Sequence, residues 1–356
     1  FDDEWKKCKL KEISNIQDGT HATPNYTDEG IPFYSVETIT SDAPPKFISN
    51  EEHQKLIKRC EPKFGDILLT RIGTLAKSKI VDWHEEFSIY VSLALLSEIK
   101  INNKFLNQYI QTEIYQKEFL KRSLLLAIPQ KINLKDLNET IIKYPSKKEE
   151  EKIANFLDLI DKKIELLTHK YKKYVSFKKY LMQQIFTQKL RFNFIDDWDV
   201  VKLETLIEKG KAGGTPPSTN PDYYNGEIPF LSIKDMTEQG KYIVKTEKSI
   251  TEEGLNNSSA WIIPKYSLLY SIYASIGLVS INLTEVSTSQ AIYGIILKEG
   301  VSLEYMYYYL TYFKKNIHRY VETGTQGNLN AKLLKSFEIA LPSVDEQEMI
   351  VNILSL

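Results

Sequence analysis

Laid on itself with an offset of about 195 residues, the sequence finds its own segments again in the same order, which constrains the fold before any residue is given a role. Residues 1–10 (FDDEWKKCKL) match 194–203 (FIDDWDVVKL), and Gly30-Ile31-Pro32-Phe33 matches Gly226-Glu227-Ile228-Pro229-Phe230. Pro62-Lys63-Phe64 through Ile67-Leu68-Leu69-Thr70 parallels Pro264-Lys265-Tyr266 through Leu268-Leu269-Tyr270-Ser271. Ile132-Asn133 falls on Leu329-Asn330, and 145–151 falls on 342–348 without a gap. Such a period is too long for a solenoid and means two copies of one domain. That suits a chain of 356 residues, more than one hydrophobic core ordinarily serves.

Within each copy, short apolar runs bounded by Gly, Pro and Asn read as strands: 66–72 (DILLTRI), 89–96 (IYVSLALL), 267–272 (SLLYSI) and 291–297 (AIYGIIL). Helical patterns at 104–120 and 303–317 lie between them, so the expected class is α/β, mixed α+β in each copy. From just after Pro145 to about Arg191 the chain has neither Gly nor Pro. Ile153, Ile160, Leu167, Tyr174 and Leu181 recur there every seven residues, and Leu157, Ile164, Tyr171, Lys178 and Ile185 fill the alternate positions. Only Lys178 breaks the apolar pattern, which is that of a coiled-coil seam. About 45 residues at 1.5 Å each give a helix on the order of 67 Å long, too long to bury its seam on one small domain. The expected organisation is a first domain at 1–145, a central helix at 146–191, a second domain at 192–342 and the start of a second helix at 343–356. That second helix is expected to be cut short, or its seam completed by another chain.

A formal net charge of −1 shows no overall basic excess, so affinity for nucleic acid has to come from local clusters. Between 162 and 191 nine basic residues accompany one acid, Glu165, a stretch suited to phosphates, to an acidic partner or simply to solvent. No apolar run is long enough to span a bilayer and no signal peptide opens the chain, so a cytoplasmic protein is expected. Cys8 and Cys60 lack metal-type spacing and read as core residues. The five histidines are scattered, so no metal site is expected.

Gln17-Asp18-Gly19-Thr20-His21-Ala22-Thr23-Pro24-Asn25-Tyr26 followed by Glu29-Gly30-Ile31-Pro32-Phe33 resembles the opening of one class of target-recognition domain. Lys211-Ala212-Gly213-Gly214-Thr215-Pro216-Pro217-Ser218 with 220–230 (NPDYYNGEIPF) resembles the opening of another. Gly324-Thr325-Gln326-Gly327-Asn328-Leu329-Asn330 looks like the loop before the last strand of such domains, and Leu341-Pro342 with Glu346-Gln347 looks like the start of their spacer helix. Together with the order domain, helix, domain, helix, these motifs make the chain similar to the specificity subunits of type I restriction-modification enzymes over nearly its whole length. Two departures stand out: Gln130-Lys131-Ile132-Asn133 replaces the Gly-Thr-Gln loop in the first copy, and the second helix is short.

The resemblance implies a non-catalytic subunit that reads a split double-stranded DNA site, binds two modification (methyltransferase) subunits and recruits restriction (motor-nuclease) subunits. S-adenosylmethionine, ATP and magnesium would belong to those partners. Base edges are read by short polar side chains and by Arg, Lys, Asn and Gln. By that inventory the candidates in the first domain are Thr20, His21, Thr23, Tyr26, Arg71, Thr74, Lys77, Lys79, Gln130 and Lys131. In the second they are Thr215, Ser218, Tyr223, Tyr270, Tyr273, Ser275, Gln290, Gln326 and Asn328. Gly19 and Gly213-Gly214 either let the backbone approach the duplex or simply make turns.

Rival classes fit less well. A methyltransferase needs a Gly-x-Gly loop after a strand and an Asn/Asp-Pro-Pro-Tyr/Phe tetrapeptide; Asn220-Pro221-Asp222-Tyr223 departs at its third position. A nuclease is suggested by Asp66 with Glu98-Ile99-Lys100, yet the second copy has no equivalent. A motor lacks its phosphate loop. A structural coiled-coil adaptor is the remaining alternative, separated from the leading reading by DNA binding at a split sequence.

Overall fold

A computed structural model describes residues 4–41, 43–192, 194, 196–273, 275–319 and 329–355. The chain forms two compact units, Phe1–His169 and Lys170–Leu356.

In the first unit an antiparallel sheet carries the strands in the order Asn15–Asp18, Leu93–Ser97, Ile67–Thr70, Ser78–Ile80. Its central strands are apolar on both faces because both faces are covered. Ile67, Leu69, Ala94 and Leu96 pack on Phe105, Leu106, Tyr109 and Ile110. On the other face Leu68, Leu93 and Leu95 meet Phe87 and Ile89. Ile89 belongs to a second sheet, Tyr26–Thr27, Lys46–Ile48, Ile31–Tyr34, Ser88–Ile89. The second unit repeats this plan with a five-stranded sheet, Ile207–Ala212, Ile292–Leu297, Leu268–Ser271, Val279–Asn282, Tyr242–Ile243, and a three-stranded one, Lys248–Ile250, Tyr224–Leu231, Ser287–Thr288. In each unit a two-stranded ribbon precedes the next helix: Lys6–Lys9 with Ile141–Tyr144, and Asp199–Lys202 with Glu338–Leu341.

The two copies agree hydrogen bond by hydrogen bond. Gly19 N donates to Leu93 O as Gly213 N does to Ile292 O; Arg71 N to Ser92 O corresponds to Ile272 N to Ala291 O; Ile132 N to Arg71 O corresponds to Leu329 N to Ile272 O. Even the helix roots match, Asn102 N binding Glu150 Oε2 where Ser302 N binds Gln347 Oε1. Backbone groups make most of this frame, so different side chains can share it.

The long helix runs Lys147–Phe186, five residues short of the predicted Arg191. It stops because Gln188 turns the chain at φ 57, and Arg191 beyond it is tied to Glu346 at 2.8 Å. Of the seam, Ile153 packs on the first unit's core, and Leu181 and Ile185 join the second's. Leu157 is half-buried, whereas Ile160, Ile164, Leu167, Tyr171 and Tyr174 are exposed. Indeed every residue from 159 to 180 is exposed. Lys178, the polar exception, has its ammonium 4.8 Å above the Tyr308 ring and 3.5 Å from its hydroxyl. Other predicted elements are shorter or divided: 104–120 forms two helices, Asn103–Gln111 and Glu113–Lys121, because Thr112 is extended and its hydroxyl caps the second. The predicted strand 89–96 is interrupted at 90–92.

Candidate nucleic-acid interface

The strand ends of the first unit meet at one edge of its main sheet. Thr20 N donates to Ile89 O at 3.0 Å, Arg71 N to Ser92 O at 2.9 Å, Ile132 N to Arg71 O at 3.0 Å and Gly73 N to Gln130 O at 2.8 Å. Thr20, His21, Gln130 and Lys131, from separate stretches of sequence, are thereby brought together. Thr74 and Lys77 sit on the adjoining turn, exposed and pinned where Lys77 N donates to Thr70 Oγ1.

Beneath this edge lies Asp18, 4 % exposed. Its carboxylate accepts Arg59 Nη2 at 2.5 Å and Arg71 Nη1 at 3.2 Å, and His21 Nε2 lies 2.9 Å away. Arg71 also donates to Val91 O and Ile132 O. The structure therefore corrects the reading of Arg71 as a base reader: it is buried and braces three segments. Burial pushes its guanidinium below the usual range, and Asp18 opposes that. His21 and Arg59, 62 % and 56 % exposed at the side chain, are the groups the knot presents outward. Arg59 was not among the predicted readers, since its partner is 41 residues away and no local motif marks it.

Among the other candidates, Thr23 is exposed; Tyr26 lies on the second sheet, 41 % exposed, with the Lys46 ammonium 4.5 Å above its ring. Lys79 leans over Trp83 at 5.3 Å. Gly19 is explained by packing, because a Cβ there would stand 2.0 Å from Ile89 O. Gly213 repeats the arrangement, 2.1 Å from Thr288 O.

The corresponding edge of the second unit carries Thr215, whose hydroxyl donates to Gln290 Oε1 at 2.5 Å, with Tyr273 and Ser275 exposed beside the strand end. Ser218 is exposed, and Tyr223 is half-buried in the turn Pro221–Tyr223. Tyr270 is a second correction. It is fully buried, edge-on to Phe337, because its strand is covered on both faces, and burial holds its phenol well above the usual range. Gln326 and Asn328 lie outside the described residues. Where the first unit has Asp18, Arg71 and His21, the second has Ala212, Ile272 and Thr215.

Of the acidic residues that suggested a nuclease, Asp66 has a local role, accepting the Lys63 backbone N–H at 2.8 Å. Among the described residues no three His, Cys, Asp or Glu side chains are placed to hold a metal ion, and no helix is long and apolar enough to cross a membrane.

A family model described as the type I restriction modification DNA specificity domain matches residues 2–173 and again 195–356. The type I restriction enzyme MjaIX specificity subunit of Methanocaldococcus jannaschii is 36% identical over 165 residues, 45% of this chain and 37% of that protein. The EcoR124I/EcoR124II specificity subunit of Escherichia coli is 32% identical over 167 residues, 43% of this chain and 40% of its own length. A second M. jannaschii protein, named for the MjaX specificity subunit, is 27% identical over 373 residues, spanning 98% of this chain and 86% of itself. The chain thus spans well under half of the first and second of these relatives and most of the third. In fold it is similar to a type I restriction-modification S subunit from M. genitalium, with a TM-score of 0.63 at 15% identity over 100% of this chain and 90% of that one.

Proposed function

The chain belongs to the type I restriction-modification DNA specificity family, and from that premise we propose that each unit reads one half of a split double-stranded DNA site through the edge described above. The observation that carries the proposal is the shared backbone frame: two edges of one geometry present different polar side chains, as two half-sites of different sequence require. The long helix would set the number of unread base pairs between the half-sites.

In this reading the chain itself does no chemistry. Methyl transfer, with S-adenosylmethionine, belongs to two modification subunits, and ATP- and magnesium-dependent cleavage belongs to restriction subunits. The exposed stretch 159–180 supports a scaffold role. Beside the seam it shows a second apolar stripe, Leu159, Leu166 and Tyr180, so more than one helix could pack on it. Single-molecule methylation sequencing of a host expressing the chain with its modification subunit tests the proposal. It should reveal one split motif, and insertion of four residues near Lys170, about 6 Å of helix, should lengthen the gap by one or two base pairs at ~3.4 Å each without altering either half. Methylation at a continuous motif, or an unchanged gap with an active enzyme, would count against it.

A further inference from the structure

Beside the polar edge of the first unit projects a loop that is neither polar nor packed. Leu124 N donates to Lys131 O at 2.7 Å and Lys131 N returns the bond to Leu124 O at 3.4 Å, closing the base of the loop. Gln130 O, bound by Gly73 N, ties it to the end of the central strand. At its tip the side chains of Leu126 and Ile128 are 99 % and 100 % exposed. Two aliphatic side chains held wholly in water on a braced loop mark a contact surface rather than a fold requirement. In the second copy the matching stretch, aligned through Leu329 opposite Ile132, reads Glu322-Thr323-Gly324-Thr325-Gln326-Gly327-Asn328, so the frame does not demand an apolar loop.

We propose that Leu126 and Ile128 form an apolar reading tip that contacts thymine C5-methyl groups in the first half-site. The loop shares its edge with Thr20, His21 and Gln130, so it enters the same groove as those polar readers. In the major groove the methyl of thymine is the apolar feature that distinguishes one base pair from another. This rests on the reading of DNA by the first unit proposed above, and deepens it by assigning a base class to one loop.

The test uses the assembled complex with its modification subunits and a duplex carrying the mapped site. Each thymine of the first half-site is replaced in turn by uracil, which lacks only the methyl. Binding should weaken roughly fourfold at one or two positions, the effect of removing one buried carbon at ~0.8 kcal/mol. In a complex carrying Leu126→Ser and Ile128→Ser, a surface change that leaves the core intact, the same uracils should cause no further loss. Uracil tolerated at every position by the native complex, or a first half-site without an A·T pair, would overturn the proposal. So would a double variant that fails to assemble with the modification subunits, which would make the tip a protein contact. A fluorescence rise from 2-aminopurine beside the tip without any effect of uracil would overturn it as well, in favour of a wedge between bases. If the native complex does not distinguish its site from unrelated duplex, it is the DNA-reading proposal itself that fails.

Discussion

The edges of the two units use one backbone and opposite chemistry. In the first, a buried carboxylate gathers two guanidinium groups and an imidazole; in the second, Ala212 and Ile272 fill the same positions, and the polar contact moves outward to Thr215 and Gln290. The fold therefore does not depend on the charged knot, and the knot is an elaboration of one edge. Its outward members are the Arg59 guanidinium and the His21 imidazole, whereas the second edge offers hydroxyl and amide groups. The first half-site should be held with more phosphate attraction and the second with more neutral hydrogen bonding.

The comparison breaks most visibly if the units are not independent. Exchanging residues 1–145 for the matching domain of a relative should change one half of the methylated motif completely and leave the other untouched. Changes in both halves would show that the edges are coupled. Next in size is the knot itself: Asp18→Ala leaves Arg71 buried without its carboxylate, which should cost about 3–5 kcal/mol. Urea unfolding followed by proteolysis should show the first unit weakened and the second unchanged, and an unchanged first unit would mean that Arg71 finds another anion. Smaller still are the readers. Arg59→Ala should weaken binding by about 1–3 kcal/mol and reduce the salt slope by about 1, while Gln290→Ala weakens binding without changing the slope. Equal salt slopes for the two variants would erase the proposed difference between the edges.

The smallest effect concerns Glu139, where the second unit has Ser336. Hydrogen bonds from the Lys11 and Lys9 ammonium groups hold its carboxyl down to about 2. A lowered carboxyl stabilises the fold above its unfolded value near 4.5, and that contribution fades as pH falls toward 2. The carboxyl is exposed, so Glu139→Gln should shift the melting temperature only slightly at pH 7 and still less near pH 2. A shift undiminished at pH 2 would point to packing rather than charge.

Much of this was legible beforehand, because a repeat fixes equivalences that no propensity can. Phe33 with Phe230 and Ile132 with Leu329 were paired from sequence and occupy the same places in the two frames. What failed did so for identifiable reasons. Tyr270 carries a polar tip, but both faces of its strand are covered, so its ring went to the core. Arg71 has the side chain of a base reader, yet the carboxylate that claims it lies 53 residues away. Arg59 was missed for the same reason, long-range pairing that leaves no local pattern.

The exposed middle of the long helix has a thermodynamic consequence. A helix without tertiary packing is only marginally stable in water, its length offset by the entropy of ordering each residue. Apart from Lys178 on Tyr308, this stretch is held by little, and its apolar side chains join neither core, so in the free chain it should fray and regain order only when other helices cover them. Circular dichroism should then show helix gained on assembly beyond the sum of the parts. Tolerance of the gap length would follow: the isolated chain would accept several separations between half-sites, and the complete enzyme one.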